Sequence, residues 1–215
     1  MIDIADFVGV EGVLYRTQTG ELTVRAEKVE LLSKAMRPLP EKFHGLVDQE
    51  AKYRQRYLDL ISSEETRKVM VGRSKAMKFI RNFLNDHGFM EVETPILQSA
   101  VCGASAKPFF TKHNALNKMC NLRIAPETYL KQVISAGFDR VFEMGKVFRN
   151  EGMDTQHLQE FTMCEWYASY WDFEKNITFF QEFMRSLLMN VIGTTKVMYQ
   201  GIELDFGAEW QRVNY

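Results

Sequence analysis

Surplus charge is missing from this chain: 27 Lys and Arg stand against 28 Asp and Glu, a formal net charge of −1. It offers no global polycation for nucleic acid, so any RNA contact has to come from local basic clusters. Cysteine is scarce too. Cys102, Cys120 and Cys164 are the only three; their odd number and lack of paired metal-ligand spacing argue against a disulfide framework, and fit a reducing, cytoplasmic setting. No apolar run approaches the length of a membrane span, and the start carries Asp3 and Asp6 rather than a basic leader, so nothing addresses the chain to a membrane or to secretion. Repeats, low-complexity tracts and long linkers are absent. What is present is an ordinary globular composition, 46% hydrophobic and 26% charged, over 215 residues. That is enough for one good core or two small domains.

Strand-like alternation opens the chain. Val8–Tyr15 and Leu22–Ala26 flank Thr17–Gly20 and predict a hairpin. Pro38 and Pro40 mark a connector. Ser62-x-x-Glu65 reads as a capping box opening a helix, whose stripe of Met77, Ile80, Phe83 and Leu84 ends at Gly88. Phe89–Thr94 alternates as a strand and Pro95 stops it. A second helix begins at Pro126 and stops near Gly137. A third is capped by Asp172, buries Ile177, Phe180, Phe183, Leu187 and Val191, and ends at Gly193. Gln200-Gly201 joins short strands at Val197–Tyr199 and Ile202–Phe206, and the last residues read as a further strand.

The chemistry concentrates between Val141 and Ser169. Phe142, Met144 and Phe148 fall on one strand face and Arg149 on the other; downstream, Phe161, Met163, Glu165 and Tyr167 share a face, opposite Thr162, Cys164, Trp166 and Ala168. A carboxylate among aromatic neighbours needs a partner, because an unpaired buried charge is costly. An ammonium-bearing ligand would be one.

Phe148-Arg-Asn-Glu151, with His157, Glu160-Phe161 and Glu165-Trp-Tyr167, resembles motif 2 of class II aminoacyl-tRNA synthetases, in particular lysyl-tRNA synthetases. Other segments carry the same resemblance. Arg37-Pro-Leu-Pro-Glu-Lys-Phe-His-Gly-Leu46 is similar to the family's inter-domain connector, and Tyr53-Arg-Gln-Arg-Tyr-Leu-Asp-Leu60 to the entry of its catalytic domain. Gly88-Phe-Met-Glu-Val-Glu-Thr-Pro95 resembles motif 1; Gly103-Ala-Ser-Ala-Lys-Pro-Phe109 and Arg123-Ile-Ala-Pro-Glu-Thr-Tyr-Leu-Lys131 resemble the lysine branch. The resemblance implies an α+β fold in three parts: residues 1–36 as the C-terminal part of an OB-fold anticodon-binding barrel, 37–61 as connector, and 62–215 as the N-terminal part of an antiparallel catalytic domain flanked by helices.

By that resemblance Arg149 would contact the lysine carboxylate and the α-phosphate of ATP, since a planar guanidinium can bridge two oxyanions. Glu151 would accept from the adenine amino group, His157 would lie near the phosphates, and Phe161 would stack on adenine. Gly103, Glu127, Glu165 and Tyr167 would line the lysine pocket, with Glu127 on the α-ammonium and the Tyr167 hydroxyl on the ε-ammonium. The implied partners are lysine, ATP, tRNA(Lys) and a second copy of the chain joined through the motif 1 region. No metal ligand is assigned here: motif 3 and the acidic residues that hold Mg²⁺ have no counterpart in the sequence, which therefore resembles part of a protein about twice as long. The motif 2 loop departs from the family pattern by carrying Leu158-Gln159 where most lysyl enzymes have Asn-Pro, a change that removes backbone stiffness. Two other readings remain: a paralogue that lysylates a translation elongation factor, against which the first hairpin counts, and a non-catalytic RNA-binding or dimerisation module.

Overall fold

The computed structural model describes residues 1–40 and 45–213; Glu41–His44 of the connector and the final Asn214 and Tyr215 lie outside the described residues. Two compact units divide the chain, Met1–Val71 and Gly72–Tyr215. The first begins with an antiparallel hairpin, β1 (Phe7–Arg16) and β2 (Leu22–Ser33). The second strand is longer than alternation alone predicts. A register shift between Glu11 and Gly12 leaves Glu27 without an opposite residue, and this bulge breaks the period-two pattern while pairing continues to Ser33. Helix α1 (Gln49–Arg54) follows, with the Asp48 carboxylate accepting from the amides of Glu50 and Ala51, and then α2 (Arg56–Ser62).

The long helix α3 runs from Glu64 to Asp86. Its cap is Ser63 rather than Ser62: the Ser63 hydroxyl accepts from the Thr66 amide at 3.2 Å. Ser62 still belongs to the last turn of α2, where its hydroxyl donates back to the Leu58 carbonyl at 2.8 Å. The expected strand after Gly88 shrinks to β3 (Met90–Glu91), which pairs in parallel with Val141 and Phe142 of a later strand. Beyond one further bond, from the Val92 amide to the Phe142 carbonyl, the backbone is drawn away, and Thr94 is engaged by Arg123. Next comes a three-stranded sheet that the sequence pattern does not announce: β4 (Leu97–Gln98), β5 (Phe110–His113) and β6 (Lys118–Leu122), in the order β4-β6-β5.

Helix α4 (Glu127–Ser135) starts beside Pro126 as expected. The central ribbon is β7 (Arg140–Phe148) paired antiparallel with β8 (Glu160–Ala168), and with β3 it forms the sheet β3-β7-β8. Helix α5 (Phe173–Ile192) is capped by Asp172, whose carboxylate accepts from the Lys175 amide, and ends at Gly193 in the left-handed conformation. A hairpin of β9 (Lys196–Tyr199) and β10 (Ile202–Asp205) turns through Gln200 and Gly201, both with positive φ. Residues 209–213 form no strand. That stretch is held by side chains instead, with Arg212 paired to Glu174 and the Trp210 ring edge-on to Phe206 and Phe180.

One face of the ribbon is sealed by aromatic residues. Phe142, with partly buried Cys164 and Trp166, packs against Phe83, Leu84 and Phe89 and against Phe179 and Phe183 of α5. The expected α5 stripe is therefore rotated: Phe179 is buried at 6% exposure, whereas Phe180 is 41% exposed and stacks on the outer side of Trp166. A 3.6-residue period cannot separate neighbouring phenylalanines; the position of the Phe83–Trp166 cluster does. In chemical denaturation, Phe179→Ala should cost about 3–5 kcal/mol, the range for emptying a buried aromatic site, and Phe180→Ala much less. Equal losses would return the stripe to Phe180.

Candidate functional site

The opposite face of the ribbon carries the polar residues. Cross-strand partners point the same way, so the pairs Val141–Tyr167, Glu143–Glu165, Gly145–Met163 and Val147–Phe161 form one surface. On it, the Tyr167 hydroxyl donates to Glu165 Oε2 at 3.1 Å. Burial pushes the Glu165 carboxyl above its ordinary value of 4.5; the Tyr167 bond opposes this, Glu127 reinforces it, Arg149 opposes it and Glu143 adds to it. Tyr167 is raised by burial and by the neighbouring Glu165 charge.

Glu127 stands in the first turn of α4 and pairs with Lys131 one turn on, at 2.6 Å. Gly103 lies against this helix start. Its φ of +88° is a conformation side chains rarely adopt, and a Cβ there would sit 3.3 Å from those of Ala125 and Glu127. Gly103, Glu127, Glu165 and Tyr167 thus belong to one neighbourhood, with Glu127 acting electrostatically on both β8 residues.

Arg149 joins that group to a second one. Its Nε donates to the Ile124 carbonyl at 3.4 Å, and its guanidinium lies 5.4 Å from the centre of the Phe161 ring. A cleft of about 320 Å³ is lined by Arg149, Glu151, Gly152, Gln156, His157, Leu158 and Phe161. Glu151 accepts from the Lys107 amide at 3.3 Å. His157 is exposed, and its Nδ1 lies 2.8 Å from Asp154 Oδ2. Amides of Gln156 and His157 also bond Asp154, and these contacts hold its carboxyl below the usual range, the Gln156 amide first.

Leu158 and Gln159 have separate tasks. Leu158 lines the cleft, while the Gln159 side chain donates to the Glu151 carbonyl at 3.1 Å and its backbone carbonyl accepts from the Arg149 amide at 2.9 Å. A glutamine cross-link closes the base of the loop between β7 and β8.

Sequence reasoning overlooked the support beneath this surface. Arg123 and Glu143 form a buried ion pair, each under 5% exposed. Thr94 Oγ1 donates to Glu143 Oε2 at 2.6 Å, and Arg123 Nε donates to the Lys146 carbonyl at 2.8 Å. A Cβ on Gly145 would collide with the Arg123 guanidinium, so a glycine is needed where that side chain crosses β7. The available signal was parity: Glu143 falls on the Glu165 face once β7 and β8 are paired. Among the described residues no three His, Cys, Asp or Glu side chains converge as a metal ligand set, and no helix is long and apolar enough to cross a membrane.

Residues 48–215 match the family described as tRNA synthetases class II (D, K and N). The chain is similar to curated proteins named lysine–tRNA ligase: 52% identical over 98% of its length in Haemophilus influenzae (strain PittEE), 52% over 98% in Pasteurella multocida (strain Pm70) and 53% over 100% in Aquifex aeolicus (strain VF5). It spans 42%, 42% and 36% of those proteins respectively.

The raised Glu165 carboxyl has a consequence for stability. A group that binds its proton more tightly when folded contributes stability that is complete below its unfolded value and lost as pH rises through its folded one. Glu165→Gln, which keeps an acceptor for Tyr167, should therefore raise the melting temperature at pH 7, and the gain should vanish below pH 4.5, the ordinary carboxyl value. A gain equal at both pH values would show that charge is not its cause.

Proposed function

Because the chain belongs to the class II tRNA synthetase family (D, K and N), we propose that it carries the motif 1 and motif 2 part of a cytoplasmic lysine–tRNA ligase. In this reading the polypeptide activates lysine with ATP and transfers it to tRNA(Lys). The observation that carries it is the position of Arg149, shared between an aromatic, polar cleft and a cluster of carboxylates. In activation a carboxylate oxygen of lysine attacks the α-phosphorus of ATP; the new C–O–P linkage forms as the bond to the β-phosphate oxygen breaks and pyrophosphate leaves. Both reacting groups are anionic, so a cation between them lowers the cost of their approach and absorbs charge in the transition state. Arg149 makes no salt bridge among the described residues, which leaves its outer nitrogens for oxyanions.

Phe161 is then the stacking surface for adenine, Glu151 the acceptor for its amino group, and His157, fixed by Asp154, the loop group near the phosphates. Lysine would extend the other way, its α-ammonium toward Glu127 and its ε-ammonium toward Glu165 and Tyr167, with the Gly103 backbone alongside. The raised carboxyl of Glu165 supports that direction, because a cation would relieve the cost of its burial. Adenine and the α-phosphate are the parts of ATP assigned to these residues; Mg²⁺ would assist the remaining phosphates and is given no ligand here. The β1–β2 hairpin is assigned to an OB-fold anticodon-binding part over residues 1–36, 37–61 to the connector, and 62–215 to the catalytic part. A homodimer would form through α3 and β3.

In a polypeptide of the relatives' full length carrying this segment, Arg149→Ala should slow lysine-dependent ATP–pyrophosphate exchange on the order of 100- to 1000-fold while the protein stays folded. A loss of less than about threefold, within the scatter of surface changes, would remove Arg149 from the chemistry. Tyr167→Phe should weaken lysine binding by roughly 1–3 kcal/mol through loss of one buried hydrogen bond, with ATP binding hardly altered. Equal losses for both substrates would leave the pocket assignment without support.

A further inference from the structure

Glu143 and Glu165 are directly paired across the β7–β8 ribbon and point to the same side. Two like charges opposite one another in an antiparallel pair repel, and Glu127 adds a third from α4. What distinguishes the members is where their oxygens go. Both Glu143 oxygens are taken from below, Oε1 by Arg123 and Oε2 by Thr94. Glu165 has one oxygen on Tyr167, and no other hydrogen bond to it is found among the described residues.

We infer that Arg123 is a positioning residue for cation recognition: by holding and neutralising Glu143 beneath the site, it keeps Glu165 anionic and free to take an ammonium group. This rests on the lysine reading above, which makes Glu165 a ligand of the substrate. Arg123 suits the task because its guanidinium is spread over several fixed acceptors. Besides Glu143 it reaches the carbonyl of Lys146, and the carbonyl and hydroxyl of Thr94 at 3.2 and 3.1 Å. It is only 2% exposed, so water does not screen the pair.

The same residue also sets the backbone around the site. Its amide donates to the Ile96 carbonyl and its carbonyl accepts from Phe148, both at 2.9 Å; the next residue, Ile124, accepts from Arg149. The segment from Arg123 to Glu127 is thereby fastened to the end of β7 from which Arg149 projects. A purely structural role would stop there. The charge role makes a separate demand, because Glu165 faces Tyr167 on its own strand, Glu143 on β7, Arg149 beyond β7 and Glu127 on α4, and Arg123 is the buried cation paired with Glu143.

The test follows Glu165 ionisation by carbon NMR titration of the 215-residue chain labelled at its glutamate carboxyl groups, with Glu165→Gln identifying the signal. Arg123→Met should raise the Glu165 midpoint by about one pH unit, a tenfold change in proton affinity, as expected for an uncompensated like charge nearby. Glu143→Gln should lower it, because Arg123 is then the unpaired charge. Arg123→Met/Glu143→Gln should return it near the wild-type value. Loss of structure alone would drive every variant toward the ordinary carboxyl value and could not raise one. If Arg123→Met does not fold, comparison of the double variant with Glu143→Gln decides: a Glu165 midpoint no higher in Arg123→Met/Glu143→Gln than in Glu143→Gln overturns the inference. In a polypeptide of the relatives' length, the KM for lysine in Arg123→Met should climb on acidification about one unit earlier than in wild type, with the KM for ATP unmoved. Absence of lysine-dependent exchange in the wild-type form would overturn the function and leave the NMR result standing; intact exchange with unshifted Glu165 midpoints would overturn this inference alone.

Discussion

Phe142 and Trp166 are partners on the β7–β8 ribbon, and both press into the aromatic cluster built with α3 and α5. Strand side chains alternate with period two, so sealing this face leaves the other no freedom: Glu143, Glu165, Tyr167 and Phe161 must point away from the core together. A slip of one residue would push carboxylates against Phe83 and Phe179 and expose Trp166, at a cost set by unpaired buried charge. Packing on one side of the ribbon is what holds the other side in register.

The polar surface then has to manage its own charge. Three glutamates and two arginines occupy it or lie just beneath it, and the two arginines differ in environment. Arg123 is buried and engaged by a carboxylate, a hydroxyl and backbone carbonyls. Arg149 is half-buried, with one carbonyl and the Phe161 ring for company. The first is a fixed counter-charge within the fold. The second spends one nitrogen on a carbonyl, and no carboxylate pairs with it among the described residues.

The loop between β7 and β8 shows how polar contacts can replace a stiff backbone. Asp154 gathers the amides of Gln156 and His157 and orients the imidazole, while Gln159 ties the loop base to Glu151 and Arg149. Exposed loops carried on a rigid ribbon are where ligand contacts are commonly placed. Here the ribbon supplies the rigidity, and the loop brings Glu151, Leu158 and His157 around one cleft.

By itself the sequence determined the helices α3, α4 and α5, the caps at Asp172 and Gly193, the hairpins, and the parity that sets Phe161, Glu165 and Tyr167 on one face. Each is a local matter, decided by periodicity or by the conformational preference of a single residue. The motif resemblance likewise led to Gly103, Glu127, Arg149, Glu151 and His157. Tertiary structure decided the rest. Whether Phe179 or Phe180 turns inward depends on where Trp166 and Phe83 stand, and Ser63 displaces Ser62 as a cap because α2 has not yet ended. The short strands β4, β5 and β6 escape the pattern because residues of only two to five positions carry too little period to read. Arg123 and Glu143 lie twenty residues apart and become a buried pair only when β7 folds beside the segment leading into α4. Long-range partnership of charges leaves no local period in a sequence, and three-dimensional packing is what brings such charges together.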